Sequence, residues 1–335
     1  MPSIFDPVKL VDLEIKNRIM MSPMCQYKAT EGKAENWHFV HYVSRAIGGT
    51  GLIVLEMTNV EPRGRITEGC LGIYKDEQIE PLKRIIEECN RYGAKVGIQI
   101  AHAGRKSTIP NGDIVAPSAI PFSANHQVPR ELTKSEIESI IENYGKGTER
   151  AIMAGAQAIE LHGAHGYLIH QFMSPSSNKR TDEYGDTNYF AQEVIRIVRQ
   201  AMPEVMPLIF RVSAVEYNED GYSFEDMLEK CKTFKELGVD AFDVSTGGNG
   251  PTPPPKIYPA YQSKYAQIYR QTLELPVISV GRLEDPKVAE SIVQNGYADM
   301  VCIGRGMLRN PYWAKEAARE LGVELELPGV YNLGL

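Results

Sequence analysis

Eight short apolar runs recur along the chain: Arg18–Ser22, Gly51–Glu56, Lys95–Ile100, Ala158–Leu161, Pro207–Val212, Ala241–Ser245, Pro276–Val280 and Met300–Ile303. They are continuous rather than alternating, the pattern of strands buried on both faces. Between them, helical spacing runs over Asn36–Gly48, Asp76–Tyr92, Thr133–Gly155, Asn188–Met202, Ser223–Leu237, Pro259–Leu273, Asp285–Asn295 and Asn310–Leu321. Thr133 with Glu136, just ahead of Ile137, spells a capping box, and Ser223 with Asp226 repeats the spacing. Gly93, Gly155, Gly238, Gly296 and Gly322 stand where helices end on a left-handed residue.

Eight strands alternating with eight helices predict an α/β fold, a (β/α)8 TIM barrel that takes residues 1–335 as one domain. The alternative, a doubly wound sheet, opens with a Gly-rich turn after its first strand, and Ser22-Pro23-Met24-Cys25 is not one. Alternation over Val8–Ile15 predicts a small N-terminal hairpin plugging the barrel floor. The stretch Ala103–Glu131 contains Pro110, Pro117, Pro121 and Pro129 and no strong helical pattern, which predicts a long lid loop after the third strand.

Composition narrows the class. With 335 residues, 43% hydrophobic and 24% charged, the chain can bury a large core. A net charge of -7 leaves no basic footprint for nucleic acid or an anionic membrane. Cys25, Cys70, Cys89, Cys231 and Cys302 form no C-x-x-C pair, which argues against zinc ribbons and iron–sulfur clusters, and an odd count suits a reducing compartment. Neither a signal peptide nor a transmembrane run is evident, so the expectation is a soluble, cytoplasmic protein.

In such barrels the chemistry gathers at the C-terminal ends of the strands. The fourth run ends in His162-Gly163-Ala164-His165-Gly166-Tyr167, where the glycines permit a tight turn. Two neutral imidazoles can donate to a developing oxyanion and a phenol can deliver a proton. Gly281-Arg282 and Gly304-Arg305 follow the seventh and eighth runs, the place where many barrels hold a phosphate on backbone N–H groups. Gln99 donates and accepts at once, which suits a heterocycle with imide-like edges. Arg211 fits either a cation facing a ring or an ion pair with Glu160 or Asp243. Cys25 fits either a small buried hydrophobe or a cofactor contact. A competing account gathers His102, His162 and His165 around a metal, as in a hydrolase or lyase, although no acidic partner lies near them in sequence.

Taken together, Lys16-Asn17-Arg18-Ile19, Ser22 to Tyr27, Gly64-Arg65-Ile66-Thr67, Gln99 to Lys106, His162 to Phe172, Arg180 to Gly185 and Ile303-Gly304-Arg305 resemble the Old Yellow Enzyme family of FMN-dependent ene-reductases. The likeness runs end to end and is closest to the thermophilic-like bacterial subgroup of NADPH dehydrogenases. It implies FMN across the barrel mouth and NADPH or NADH as reductant. Ser22, Pro23, Met24, Cys25 and Met57 would line the flavin, Gln99 and Arg211 would meet its pyrimidine side, and Gly281, Arg282, Gly304 and Arg305 would hold the phosphate. His162 and His165 would grip the carbonyl oxygen of an enone or enoate, Tyr27 would touch it from above, and Tyr167 would donate the proton. A homo-oligomer, dimer or tetramer, is implied as well.

Three positions depart from the subgroup's pattern. Met57 stands where a small residue is usual, the segment after Tyr184-Gly185 is shortened around Asp186, and Leu333 replaces the arginine expected two residues after Tyr331.

Overall fold

The structure, a computed structural model, describes residues 1–110 and 112–334. The eight continuous apolar runs become the staves of one closed barrel. An antiparallel hairpin, β1 (Val8–Leu10) and β2 (Leu13–Ile15), comes first. The further strands are β3 (Ile19–Met21), β4 (Leu52–Asn59), β5 (Lys95–Ala101), β6 (Val115–Ala116), β7 (Arg130–Glu131), β8 (Ala158–Gly163), β9 (Leu208–Ser213), β10 (Ala241–Ser245), β11 (Val277–Val280) and β12 (Met300–Ile303). All but β6 and β7 pair in parallel around the barrel in chain order, and β12 closes against β3.

The helices are α1 (Asn36–Ile47), α2 (Ile79–Arg91), α3 (Lys134–Met153), α4 (Leu168–Met173), α5 (Tyr189–Ala201), α6 (Phe224–Glu236), α7 (Ser263–Leu273), α8 (Pro286–Gln294), α9 (Arg305–Arg309) and α10 (Trp313–Leu321). Their inner faces follow from sequence spacing. In α2, Leu82, Ile85, Ile86 and Cys89 recur three and four residues apart, and all are buried. Thr133 and Ser223 accept from the backbone N–H groups of Glu136 and Asp226, so both expected capping boxes form. Helices α4 and α9 escape the sequence reading because six and five residues are too few to show a helical period.

The hairpin seals the floor. Its Leu10 and Ile15 pack with Met20, Leu52, Val54, Ala158, Ile209, Ala241, Ile278 and Met300, at or near the starts of the barrel strands. The opposite end stays polar. In the long loop after β5, β6 and β7 pair with each other. Arg105 ties the loop down, donating to the carbonyl oxygens of Ile120 and Asn249. Strand β4 runs three residues further than the apolar run suggests. Leu55 faces Ile98 and Thr58 faces Ile100, so one extra residue bulges out of the strand there. The bulge presents Glu56 towards Tyr42 of α1 and Met57 towards Ala101, Ala103 and Tyr167 at the mouth.

Candidate active site

Strand β8 delivers two imidazoles and a phenol to one spot. The His162 ring lies edge-on to that of His165 at 5.2 Å and to that of Tyr167 at 4.7 Å, centroid to centroid. The glycines work differently from one another. Gly166 has φ +72°, and a Cβ there would sit 2.2 Å from the Gly248 carbonyl oxygen. Gly163 has no left-handed backbone; it leaves room for the Phe210 ring, which a Cβ would meet at 2.2 Å. The turn that Gly163 was expected to make is taken by His165 itself, at φ +58°.

The tautomer of His162 follows from its partner. His162 Nδ1 accepts from the Ala164 N–H at 3.3 Å, so its proton sits on Nε2, which has no partner. His165 bonds the Ser245 hydroxyl through Nε2 at 2.7 Å, and its Nδ1 has none. Burial, with Arg211 and Lys106 close by, holds both imidazoles well below the usual histidine range. Each is therefore neutral at physiological pH, with one nitrogen free for a ligand. Burial pushes the Tyr167 phenol far up, so it keeps its proton.

Beneath them lies a layer of buried polar groups. Gln99 faces Glu160 in register, and its Nε2 donates to Glu160 Oε1 at 2.7 Å. Arg211 faces both His162 and Asp243. Its Nη1 donates to the Ser22 hydroxyl at 3.2 Å, and its Nε lies 3.3 Å from Asp243 Oδ2 without the alignment of a hydrogen bond. Two carboxylates thus share one guanidinium. Burial, then the charge of Asp243, raises Glu160 to about 8, so it carries a proton at neutral pH.

A carboxyl raised in the folded state stabilises the fold fully below its unfolded value. That contribution is lost as pH rises from there through the folded value. Glu160→Gln is therefore expected to match the native melting temperature near pH 5 and exceed it near pH 9. A melting difference independent of pH would refute a protonated Glu160.

The opposite wall carries Ser22, Pro23, Met24 and Cys25, just past β3. Cys25 is partly exposed and packs in one cluster with Met57, Ala101, Ala103 and Tyr167. Tyr27 is 49% exposed at φ +53°. Since Val280 pairs with Cys302, Gly281-Arg282 and Gly304-Arg305 leave adjacent strands side by side. A Cβ on Gly304 would find no atom nearer than 3.7 Å, so that position is an open cradle. Arg305, at the start of α9, is exposed and makes no hydrogen bond or ion pair among the described residues. Arg282 is partly engaged, its Nε donating to Glu284 at 2.9 Å.

These groups fit a flavin mononucleotide. Arg211 Nε is buried and without a hydrogen-bond partner, Gln99 Oε1 is uncommitted, and the open position at Gly304 adjoins the free Arg305 guanidinium. They do not fit the three-imidazole metal site. His102 spends both nitrogens elsewhere, Nε2 on Glu61 at 2.8 Å and Nδ1 on the Gly104 N–H at 2.9 Å. Among the described residues no three His, Cys, Asp or Glu side chains cluster to hold a metal.

The groups that hold the turn in place carry no functional motif in the sequence. Lys106 Nζ donates to the carbonyl oxygens of His165 at 2.9 Å and Gly248 at 3.4 Å, and lies 5.0 Å from the centre of the Tyr167 ring. Burial lowers it to about 8. Behind the turn, His170 accepts from the Gly166 N–H at 3.0 Å and meets Glu216 at 2.9 Å, and Asn249 donates to the same Glu216 oxygen at 2.7 Å. His170 was visible as a third histidine shortly after His165, but Glu216 and Asn249 come from distant loops and leave no local signal.

The profile of the NADH:flavin oxidoreductase / NADH oxidase family matches residues 3–324. The chain belongs to this family. Like the Old Yellow Enzymes within it, the chain is an FMN-dependent oxidoreductase that draws electrons from NAD(P)H. The NADPH dehydrogenase of Geobacillus thermodenitrificans (strain NG80-2) is 45% identical over 337 residues, covering 99% of this chain and 98% of that protein. The NADPH dehydrogenase of Listeria innocua serovar 6a is 46% identical over 336 residues, 99% of each. Among solved structures, morphinone reductase in complex with tetrahydroNAD superposes with a TM-score of 0.83 at 24% identity, over 99% of this chain and 94% of that one. A 2-naphthoyl-CoA reductase reaches 0.90 at 23% identity over 95% of this chain and 52% of that one, so the two structures show the shared barrel.

The three departures have places too. Met57 is buried at the mouth, Asp186 accepts from the Asn188 N–H just before α5, and Leu333 is 88% exposed. No helix among the described residues is long and apolar enough to cross a membrane.

Proposed function

We propose that this flavoenzyme is an ene-reductase, which reduces the activated C=C bond of α,β-unsaturated carbonyl compounds with electrons from NADPH or NADH. The observation that supports it most is the pair of neutral imidazoles, His162 and His165, each with one free nitrogen beside Tyr167. Hydride-transfer chemistry between the nicotinamide and the β-carbon of the alkene would be supplied by a bound FMN. His162 through Nε2–H, and His165 through Nδ1–H in the tautomer whose Nε2 accepts from Ser245, bind the carbonyl oxygen and stabilise the charge that grows there. Tyr167 holds a proton for the α-carbon. Tyr27 contacts the ligand from the open side. Ser22, Pro23, Met24, Cys25 and Met57 line the cofactor. Gln99 Oε1 accepts from its pyrimidine edge, and Arg211 supplies positive charge beside it. The backbone at Gly281 and Gly304, with Arg282 and Arg305, holds the phosphate. The name of the bacterial relatives favours NADPH. One mouth serving both redox partners in turn gives ping-pong kinetics.

Anaerobic mixing with NADPH is expected to bleach the flavin band, and cyclohexenone to restore it. Bleaching with no return across a panel of enones and enoates would overturn the proposal. Tyr167→Phe is expected to slow the return about 10²-fold while leaving the bleaching rate alone. An unchanged return would move proton donation to water.

A further inference from the structure

One buried carboxyl near the barrel mouth has no part in the chemistry above. Glu56 lies in the bulge of β4 and turns towards α1, fully buried with Tyr42 and His38. Its Oε2 accepts the Gln26 N–H at 2.8 Å. The Tyr42 hydroxyl donates to Oε1 at 3.2 Å and accepts the Glu56 N–H at 2.9 Å. His38 Nδ1 accepts from the Glu35 N–H, so Nε2 carries the proton, 3.4 Å from Oε1. Burial raises the carboxyl to about 8, and both its neutral and its ionised form offer Oε2 as an acceptor.

The bond to Gln26 matters because the chain around it has little else. From Ser22 to Ala29 it takes no regular secondary structure. Its ends are tied, the Ser22 N–H to the Ile303 carbonyl at 3.1 Å and the Ala29 N–H to the Gly69 carbonyl at 2.8 Å. Between those ends, among the described residues, the Gln26 N–H is the one backbone donor with a protein acceptor. That N–H belongs to the peptide plane shared with Cys25, so holding it sets the exit from Cys25 and the entry to Tyr27. Tyr27 sits at φ +53°, a left-handed conformation unusual for an aromatic residue. The Gln26 side chain completes the anchor. Its Nε2 donates to the Met24 carbonyl at 2.8 Å, and its Oε1 accepts from the Trp37 indole at 3.2 Å.

We propose that Glu56 is a positioning residue of the flavin site, whose carboxyl holds the Cys25–Gln26 peptide and so sets Cys25 against the cofactor and Tyr27 against the substrate. The inference rests on the proposed roles of Cys25 and Tyr27. A bulge re-aims one side chain out of a strand, and here it sends Glu56 to the arm that follows β3. Tyr42 and His38 on Oε1 fix the carboxyl so that Oε2 meets Gln26. Without that acceptor the Gln26 N–H loses its partner and the left-handed turn at Tyr27 loses its support. The histidine pair stands apart from this arm, because β8 pairs with β5 and β9 and not with β3 or β4. A loosened arm should therefore weaken ligand binding more than it slows the reaction.

The test uses the FMN holoenzyme as wild type, Glu56→Leu and Glu56→Gln. Leucine removes the acceptor, and glutamine keeps an oxygen for Gln26. Iodoacetamide labelling is followed on the Cys25 peptide by mass. It should run about tenfold faster in Glu56→Leu, the loss of one ordinary hydrogen bond, with Cys89 and Cys231 unmoved. Glu56→Gln should return most of the way to wild type. With cyclohexenone, KM should rise about tenfold in Glu56→Leu while kcat changes less than about threefold. Equal labelling of Cys25 in all three proteins would overturn the proposal, as would a Glu56→Gln no better than Glu56→Leu. So would a fall in kcat with KM unchanged. If Glu56→Leu does not fold, amide exchange in the wild type decides. After correction for intrinsic rates, the Gln26 amide should exchange about tenfold more slowly than that of Lys28. An unprotected Gln26 amide would sink the proposal. A wild type that reduces no enone would sink the ene-reductase reading alone, since labelling and exchange still decide the part played by Glu56.

Discussion

Replacing His162 and His165 together by alanine is expected to slow reduction of cyclohexenone by about 10³-fold or more, while FMN stays bound and NADPH still bleaches it. The size follows from losing two donors aimed at one developing oxyanion in a water-poor site. The selectivity follows from the geometry. Neither ring bonds to Gln99, Arg211 or the glycines at the ends of β11 and β12, so the proposed cofactor contacts survive. Phenol sharpens the measurement, since phenolate mimics an enolate. The wild type should bind it with a long-wavelength charge-transfer band, and the double variant should not. A persisting band would sink the oxyanion role. Both rings are held neutral by burial, so the binding free energy should not follow a histidine titration between pH 6 and 8.

Arg211→Met should have the largest effect on stability. The guanidinium is the cation that faces Asp243 and Glu160 inside the barrel. Removing it takes the ion-pair partner from Asp243, neither of whose oxygens has a hydrogen-bond donor to fall back on. Breaking a buried pair in this way costs about 3–5 kcal/mol. The cost should depend on pH. Without the cation, Asp243 is pushed further above its unfolded value, as burial already pushes it. A carboxyl raised in the folded state stabilises at low pH and loses that contribution as pH rises, so the melting deficit should be small near pH 5 and widen towards pH 9. Arg211→Met with Asp243→Asn should recover most of it. A deficit constant with pH, unmoved by the second substitution, would mean that Arg211 serves only as a packed stem.

The barrel was legible because its strands are mainly apolar, non-alternating runs, nearly all followed by glycine or a polar residue. Ala241–Ser245 and Met300–Ile303 match their runs end for end. The charged layer beneath the site was only half legible. Strands buried on both faces carry no alternation, so the sequence could not say that Glu160 turns inward to Gln99, or whether Arg211 leans on Glu160 or Asp243. Register decides that, by placing Asp243 opposite Arg211. The bulge at Met57 was hidden for a related reason, since an extra residue in one strand shows only when its neighbour is known. The mirror problem affected His102. It shares the motif that carries Gln99, yet its two nitrogens are taken by Glu61 and Gly104, partners no spacing rule names.

The hairpin under the barrel has a consequence for traffic. With Leu10 and Ile15 filling the floor, that end of the barrel offers no passage. On the proposed chemistry, donor and acceptor queue at the same open end, and each excludes the other while it is inside. A cell rich in NADPH would therefore throttle this enzyme rather than drive it, because the coenzyme would occupy the doorway that the alkene needs. Throughput would peak at an intermediate coenzyme supply, set by the competition at the door.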